Sequence, residues 1–438
     1  MSVIAELAAF VAGASAAGLP AAEQERLRLH VTDTAVAALA GASIPEGKAL
    51  QDLGDDGALA IRIGRQAAAT RLTEIDDIHL PSCTTPSAGV LPVALALAAR
   101  AERCDPGEVA SAIWVGTEIM TRLGMAVRGP QILYRGVWPT YLAAPVAAAA
   151  TASRVFGLDA ARTGQALSLA VMLMAGGVGR IHGAPSGRWF LYASAVAAGV
   201  AAAEAARADY RGDPDILDKT WLTDSHGIAF DRERLTENLG TACVYAALSM
   251  KPLCSAKQAI AAIEAFRKLL DRVPKDAIGK VRVRVPQAYA GMISARAEPG
   301  ARQSTMVSVA HQIALAALAP ERLSEVDRSA ATIDAAVIQF AAKVEVIADQ
   351  SLETFYPQHW PAEVEVETGG EVLRQRVVEA TGDPEHPLDR AGVAAKAHRV
   401  LDRLVGNGRA EEWLKLASAA LDDATACRKL AAAFAAGL

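Results

Sequence analysis

Alanine sets the terms on which this chain can fold. It fills Ala147–Ala150 and dominates Ala197–Ala203, and it enters a helix with no loss of side-chain entropy. Hydrophobic residues make up 52% of the chain but aromatics only 5%. The interior is therefore to be filled by many small side chains, which let helices approach closely. That predicts a helical bundle and argues against disorder. At 438 residues the chain exceeds what one core usually serves, so two domains are expected.

The periodicity shows where they divide. Glu23–Ala40 carries Leu27, Val31, Ala35 and Leu39 at helical spacing, with Gly41 as its expected stop. A second helix is predicted over Val90–Ala101, after the turn Pro86–Gly89. Asp105 reads as an N-cap with Pro106 at the first helical position. Pro139–Phe156 follows and stops at Gly157; Leu158 and Asp159 then open a helix that runs through Leu167 to Met174. Ala193–Ala208, almost entirely Ala and Val, reads as a helix buried on most sides.

Near Pro274 the texture changes. Lys280–Val285 alternates charge with valine, the mark of a strand with one dry face. A helix over Arg302–Leu318 follows, and then Lys343–Ala348 and Ala362–Glu367 alternate again. Gly369-Gly370 separates the last of these from Glu371–Ala380 as a hairpin. After residue 391 the pattern returns to helix, with Trp413, Leu414 and Leu416 on apolar faces. The expected fold is mostly α with an α+β lid. A helical domain covers residues 1–272 and is completed by 391–438, with a small α/β domain at 273–390.

Composition excludes several partners. A net charge of -5 and a pI near 6.0 leave no footprint for nucleic acid or an anionic membrane. Met1–Glu6 lacks the basic start of a signal peptide, and apolar stretches such as Leu142–Ala152 fall short of a bilayer. The five cysteines, Cys83, Cys104, Cys243, Cys254 and Cys427, are odd in number and form no CxxC pair. They suggest a reducing cytoplasm without disulfides or structural zinc. The eight histidines make no HExxH or HxH motif, so no metal is expected.

Five segments, in order along the chain, carry a resemblance. They are Glu74-Ile75-Asp76-Asp77-Ile78-His79-Leu80-Pro81 with Pro86-Ser87, then Gly136-Val137-Trp138-Pro139-Thr140, and Lys251-Pro252-Leu253-Cys254-Ser255-Ala256-Lys257-Gln258. The last two are Tyr356–Val366 and Gly382–Leu388. Together they resemble the MmgE/PrpD family, which includes 2-methylcitrate dehydratase and cis-aconitate decarboxylase. The resemblance implies a large helical domain with a small α/β lid, usually as a homodimer. It also implies chemistry without metal or redox cofactor on small polycarboxylates, by loss of a proton or carbon dioxide next to a carboxylate.

By this resemblance, carried over position by position, the family's site is only partly present. Glu74 stands at the head of the acidic segment in place of Asp, and Asp76 and Asp77 are kept. Ile78 replaces a Thr, Thr85 and Trp138 replace two His, and Val307 replaces a Tyr. Arg188 takes the place of a Lys, and Lys251 is retained. The departures remove two imidazoles, whose pKa suits proton transfer near neutral pH.

Beside the resemblance, the residues offer their own candidates. His79 follows the aspartates, and His182 lies in the glycine-rich stretch Gly179–Arg188 between Arg180 and Arg188. Arginines pair a carboxylate bidentately, and a histidine beside them moves a proton. The alternative for each is a solvated or hydrogen-bonded loop residue, and Lys257 reads as a solvated helix residue.

The expected function is a cofactor-independent lyase or isomerase acting on a small carboxylate by elimination or epimerisation, at a site between helical domain and lid. Lys251 and Arg188, with Arg180, anchor carboxylate oxygens; His79 or His182 moves the proton; Asp76 or Asp77 orients it. Glu74, Thr85 and Trp138 line the pocket. Two other readings stand beside this one: a family member that has lost catalysis and serves as a binding or dimeric scaffold protein, and a decarboxylase of a cis-aconitate-like acid.

Overall fold

A computed structural model describes residues 1–54, 58–101, 104–174, 187–328 and 333–438. The chain divides into two compact units. One contains the helices from Met1 to Leu248 and resumes at Asp389–Leu438; the other is Ser249–Leu388.

The first unit is helical, and glycines set how closely its helices cross. A Cβ on Gly41 would lie 1.9 Å from the carbonyl oxygen of Ala69, and one on Gly199 would lie 2.1 Å from that of Pro145. Gly41 therefore does not stop its helix, as the sequence suggested. The helix runs Ala21–Ser43, and Gly41 is where Leu59–Arg71 crosses it. Asp105 caps Pro106–Ala126 by accepting from the Glu108 N–H at 3.0 Å, with Pro106 at the first position. Asp159 caps Ala160–Met172 in the same way at 2.8 Å.

Gly187–Arg207 is long and apolar enough to cross a membrane by length and composition, contrary to the reading of shorter stretches. It buries Trp189, Tyr192, Val196 and Val200 within the unit. The helices Arg390–Val405, Asn407–Ala419 and Ala424–Ala436 complete the unit from the C-terminal end. Trp413 donates its indole N–H to the Ala35 carbonyl at 2.8 Å. The Lys396 ammonium, 1% exposed, lies 2.6 Å from Asp33 and donates to the Ile75 carbonyl at 2.7 Å.

The second unit is built on a four-stranded sheet of β1 (Ile278–Val285), β2 (Val344–Ala348), β3 (Ala362–Thr368) and β4 (Glu371–Val377). Their order is β2-β1-β3-β4. β1 and β2 are parallel with Val281 opposite Val344, while β1–β3 and β3–β4 are antiparallel. Gly369 and Gly370, at φ +54° and +88°, make the β3–β4 turn in the left-handed region that such hairpins require. Val281, Val283 and Val285 of β1 are buried, and the helix Lys257–Leu270 packs against β3 and β4.

The unit therefore begins at Ser249, earlier than the change of texture at Pro274. Its first helix is needed to cover the sheet. The single helix read over Arg302–Leu318 is in fact two, Arg302–Val307 and Val309–Leu318. Ser308 is extended between them, and its hydroxyl accepts from the His311 N–H. A serine that can bond its own backbone competes with helix continuation.

Candidate active site

The acidic segment leaves the end of helix Leu59–Arg71 through a turn in which Glu74 takes a left-handed φ of 57°. Lys396 pins this turn through the carbonyl of Ile75, and the Thr73 hydroxyl donates to Thr70 O at 2.7 Å. A turn fixed in this way sends two of its carboxylates to one arginine and the third to other partners. Glu74 and Asp76 both meet Arg71, at 3.1 Å and 3.2 Å. Glu74 also lies 3.5 Å from the Arg188 guanidinium. Asp77 accepts from the Ser87 N–H at 3.2 Å and bonds the Ser87 hydroxyl and the His30 ring, the latter at 3.0 Å.

Aromatic rings enclose the cations. The Arg188 guanidinium carbon lies 4.1 Å from the Trp189 ring centre and 5.2 Å from that of Trp138. Trp138 stacks on Tyr141, whose ring centre is 5.0 Å from that of Tyr192. Trp138, Tyr141, Trp189 and Tyr192 are all buried. The hydroxyls of Tyr141 and Tyr192 and the indole N–H of Trp138 find no hydrogen-bond partner among the described residues.

Electrostatics follow from this packing. Burial works against the charge of Arg71, but Asp76 and Glu74 outweigh it and hold the guanidinium more firmly protonated than usual. Burial raises the phenol of Tyr141, against the pull of Arg188 and Arg71, so Tyr141 keeps its proton at neutral pH. Tyr192 is raised by burial in the same way. Burial pushes the nearby Cys83 thiol up to about 12, with Arg71 opposing, and makes it an unreactive thiol.

The sequence candidates separate accordingly. Glu74 and Asp76 meet at Arg71, and Arg188 reaches Glu74 from under the Trp138 ring. Thr85 is buried near Thr140, whose hydroxyl meets the Thr85 N–H at 3.1 Å. His79 is not oriented by a carboxylate: its Nδ1 bonds the Ser82 hydroxyl at 2.9 Å, and among the described contacts Asp77 holds His30 instead. Burial lowers the His79 imidazole to about 4, with Asp77 opposing. It is thus a neutral ring and a weak base, which counts against the proton-moving role expected of it. His182 and Arg180 lie outside the described residues.

Lys251 belongs to the second unit and is buried there. Its backbone is held where Met250 N–H donates to the Gly382 carbonyl at 2.8 Å, and Gly382 at φ +93° would clash with the Met250 oxygen if it carried a Cβ. Lys257 is not solvated as read. It is buried and bonds Asp383, which also accepts from the Ser249 hydroxyl and the Ala380 N–H, each at 2.8 Å. The motif Gly382–Leu388 therefore supplies an internal anchor. The Cys254 thiol faces the Met306 sulfur at 3.7 Å.

Sequence reasoning missed Arg71, Tyr141, Trp189, Tyr192 and His30. For two of them the signal was spacing along a helix: Tyr141 is three residues after Trp138 and Tyr192 four after Arg188. It also missed that His359, Glu379 and Glu385, distant in sequence, bring possible metal-ligand atoms within 4.8 Å of one another in the second unit.

Taken together, the arrangement is a buried cradle of two guanidinium groups, two carboxylates and two protonated phenols. Cations in such a low-dielectric setting hold carboxylate and enolate oxygens strongly, and phenols donate to oxygen. Residues 65–226 match the MmgE/PrpD N-terminal domain and residues 254–422 the MmgE/PrpD C-terminal domain. The chain belongs to the MmgE/PrpD family, which includes dehydratases and other lyases. No curated protein matches it.

Proposed function

We propose that this chain is a lyase or isomerase that removes a proton from the carbon next to the carboxylate of a small acid. The observation that supports this most is the convergence of Arg71 and Arg188 with Glu74, Asp76 and the Tyr141 hydroxyl, which has no hydrogen-bond partner among the described residues. The guanidinium groups hold the substrate carboxylate and the negative charge that grows on it. Glu74 or Asp76 takes the proton.

In elimination the C–H electron pair becomes the double bond, the C–O bond breaks, and the leaving oxygen takes the Tyr141 proton and departs as water. In epimerisation Tyr141 returns a proton to the same carbon. Neither route asks for a metal or a redox carrier. Arginine where relatives of the family carry lysine favours binding over proton transfer, because guanidinium stays charged. Lys251 enters by resemblance as a further cation, and an unchanged rate in Lys251→Ala removes it. The resemblance also proposes a homodimer, and the cysteine usage a cytoplasmic setting.

The test is a panel of hydroxy-, unsaturated and amino-carboxylic acids in heavy water, followed by proton NMR. Loss of one proton signal beside a carboxylate is the expected result. No exchange and no turnover across the panel would leave the reading without its chemistry. A second reading, binding without turnover, is favoured by the low basicity of His79 and by Trp138 and Thr85 standing where relatives carry histidine. Calorimetric binding of an acid that never exchanges would select it.

A further inference from the structure

The cysteines are less scattered than their sequence positions suggest. Cys104 immediately precedes the N-cap Asp105 of helix Pro106–Ala126, and Cys427 lies in the first turn of helix Ala424–Ala436. Folding the first unit brings their sulfur atoms to 3.1 Å across 323 residues of chain. Both side chains are buried. Each terminus that carries them is held by its own cap: Asp105 accepts from the Glu108 N–H at 3.0 Å and Asp423 from the Ala426 N–H at 2.6 Å. The two sulfurs are inside ordinary non-bonded contact, and a bond of about 2.05 Å needs a closure of roughly 1 Å. Among the described contacts, the Cys104–Cys427 pair joins two thiols.

We propose that Cys104 and Cys427 form a disulfide that ties the C-terminal helix to the start of helix Pro106–Ala126. The step is a two-electron oxidation. Two S–H bonds break and one S–S bond forms. Hydrogen peroxide takes the two electrons and two protons and becomes two waters, or a small-molecule disulfide takes them and becomes two thiols.

Attack requires a thiolate, and burial holds the Cys427 thiol above its usual range, with Cys104 adding to the effect. The bond therefore forms slowly in the packed unit and readily while helix Ala424–Ala436 is undocked. Once formed, it closes most of the chain into one loop, and a disulfide of that span restrains the unfolded state strongly. In a reducing setting the same pair rests as a hydrogen-bonded dithiol.

The full chain is refolded from denaturant with oxidised glutathione, and separately exposed in the native state to hydrogen peroxide. Free thiols are then alkylated under denaturing conditions and the digest is read by mass spectrometry. The expected product is one cross-linked peptide pair containing Cys104 and Cys427, in a chain two hydrogen masses lighter. Its thermal midpoint is higher by roughly 5 °C and falls back on reduction. Cys427→Ala and Cys104→Ala each abolish both the cross-link and the shift. Alkylation of both cysteines after oxidative refolding, or cross-links that join other cysteines instead, would overturn the proposal.

Discussion

Arg188 shows how a residue's neighbours decide what it does. Held between Trp138 and Trp189 with Glu74 at 3.5 Å, its guanidinium is fixed in orientation, which lowers the entropy lost when a carboxylate docks. Tyr141→Phe removes the proposed acid without moving the cations. It is expected to lower kcat by about 100-fold or more with KM little changed, read in steady-state kinetics on the acid found. His79 makes a stability prediction. Its imidazole sits at about 4 in the folded chain against an ordinary value near 6.5. The folded state therefore binds fewer protons, and the stabilisation present above about 6.5 is lost as pH falls toward 4, by roughly 3 kcal/mol in all. Denaturant titrations at pH 7 and pH 4.5 should show a smaller loss in His79→Gln than in the parent. At this scale Glu74, Asp76, Trp138 and Arg188 were legible because short motifs carried them. Arg71 was not, because its role depends on a left-handed turn at Glu74 that folds the carboxylate back over the helix end.

Elements were legible where the cause is local. Asp105 and Pro106 announce a helix start, and Gly369-Gly370 announces a hairpin, because each acts through its own backbone. Gly41 misled for the opposite reason: its purpose is a crossing with a helix almost thirty residues on, and nothing in its own neighbourhood tells a crossing from a cap. The two cases separate by mutation. Gly41→Ala drives a methyl into the Ala69 carbonyl and should destabilise the chain by about 3 kcal/mol or more. Gly13→Ala meets nothing within 4 Å and should be neutral or stabilising by up to about 1 kcal/mol. Equal midpoints for the two variants in denaturant titration would contradict this account of the crossing. The break at Ser308 belongs with Gly41: the sequence was read as one continuous helix, and the serine's bond to the His311 N–H divides it.

At the scale of the whole molecule, the C-terminal helices complete a unit begun hundreds of residues earlier, and a buried ion pair joins the two stretches. Lys396 neutralises Asp33, whose carboxyl burial pushes above its ordinary range, and it fixes the acidic turn through the Ile75 carbonyl. Lys396→Met leaves that carboxyl buried without its cation and is expected to cost about 3–5 kcal/mol. Adding Asp33→Leu should restore much of the loss, as a double-mutant cycle would measure. That these residues are helical was visible in their apolar spacing; the pair between Asp33 and Lys396 was not, since no local pattern links them. The central claim is that buried arginines hold a carboxylate. It is tested most directly by titrating Arg188→Met and the parent chain with the acid that exchanges its proton. A charge-assisted contact predicts affinity weaker by about 10- to 100-fold in the variant; equal affinity in the two would contradict the claim.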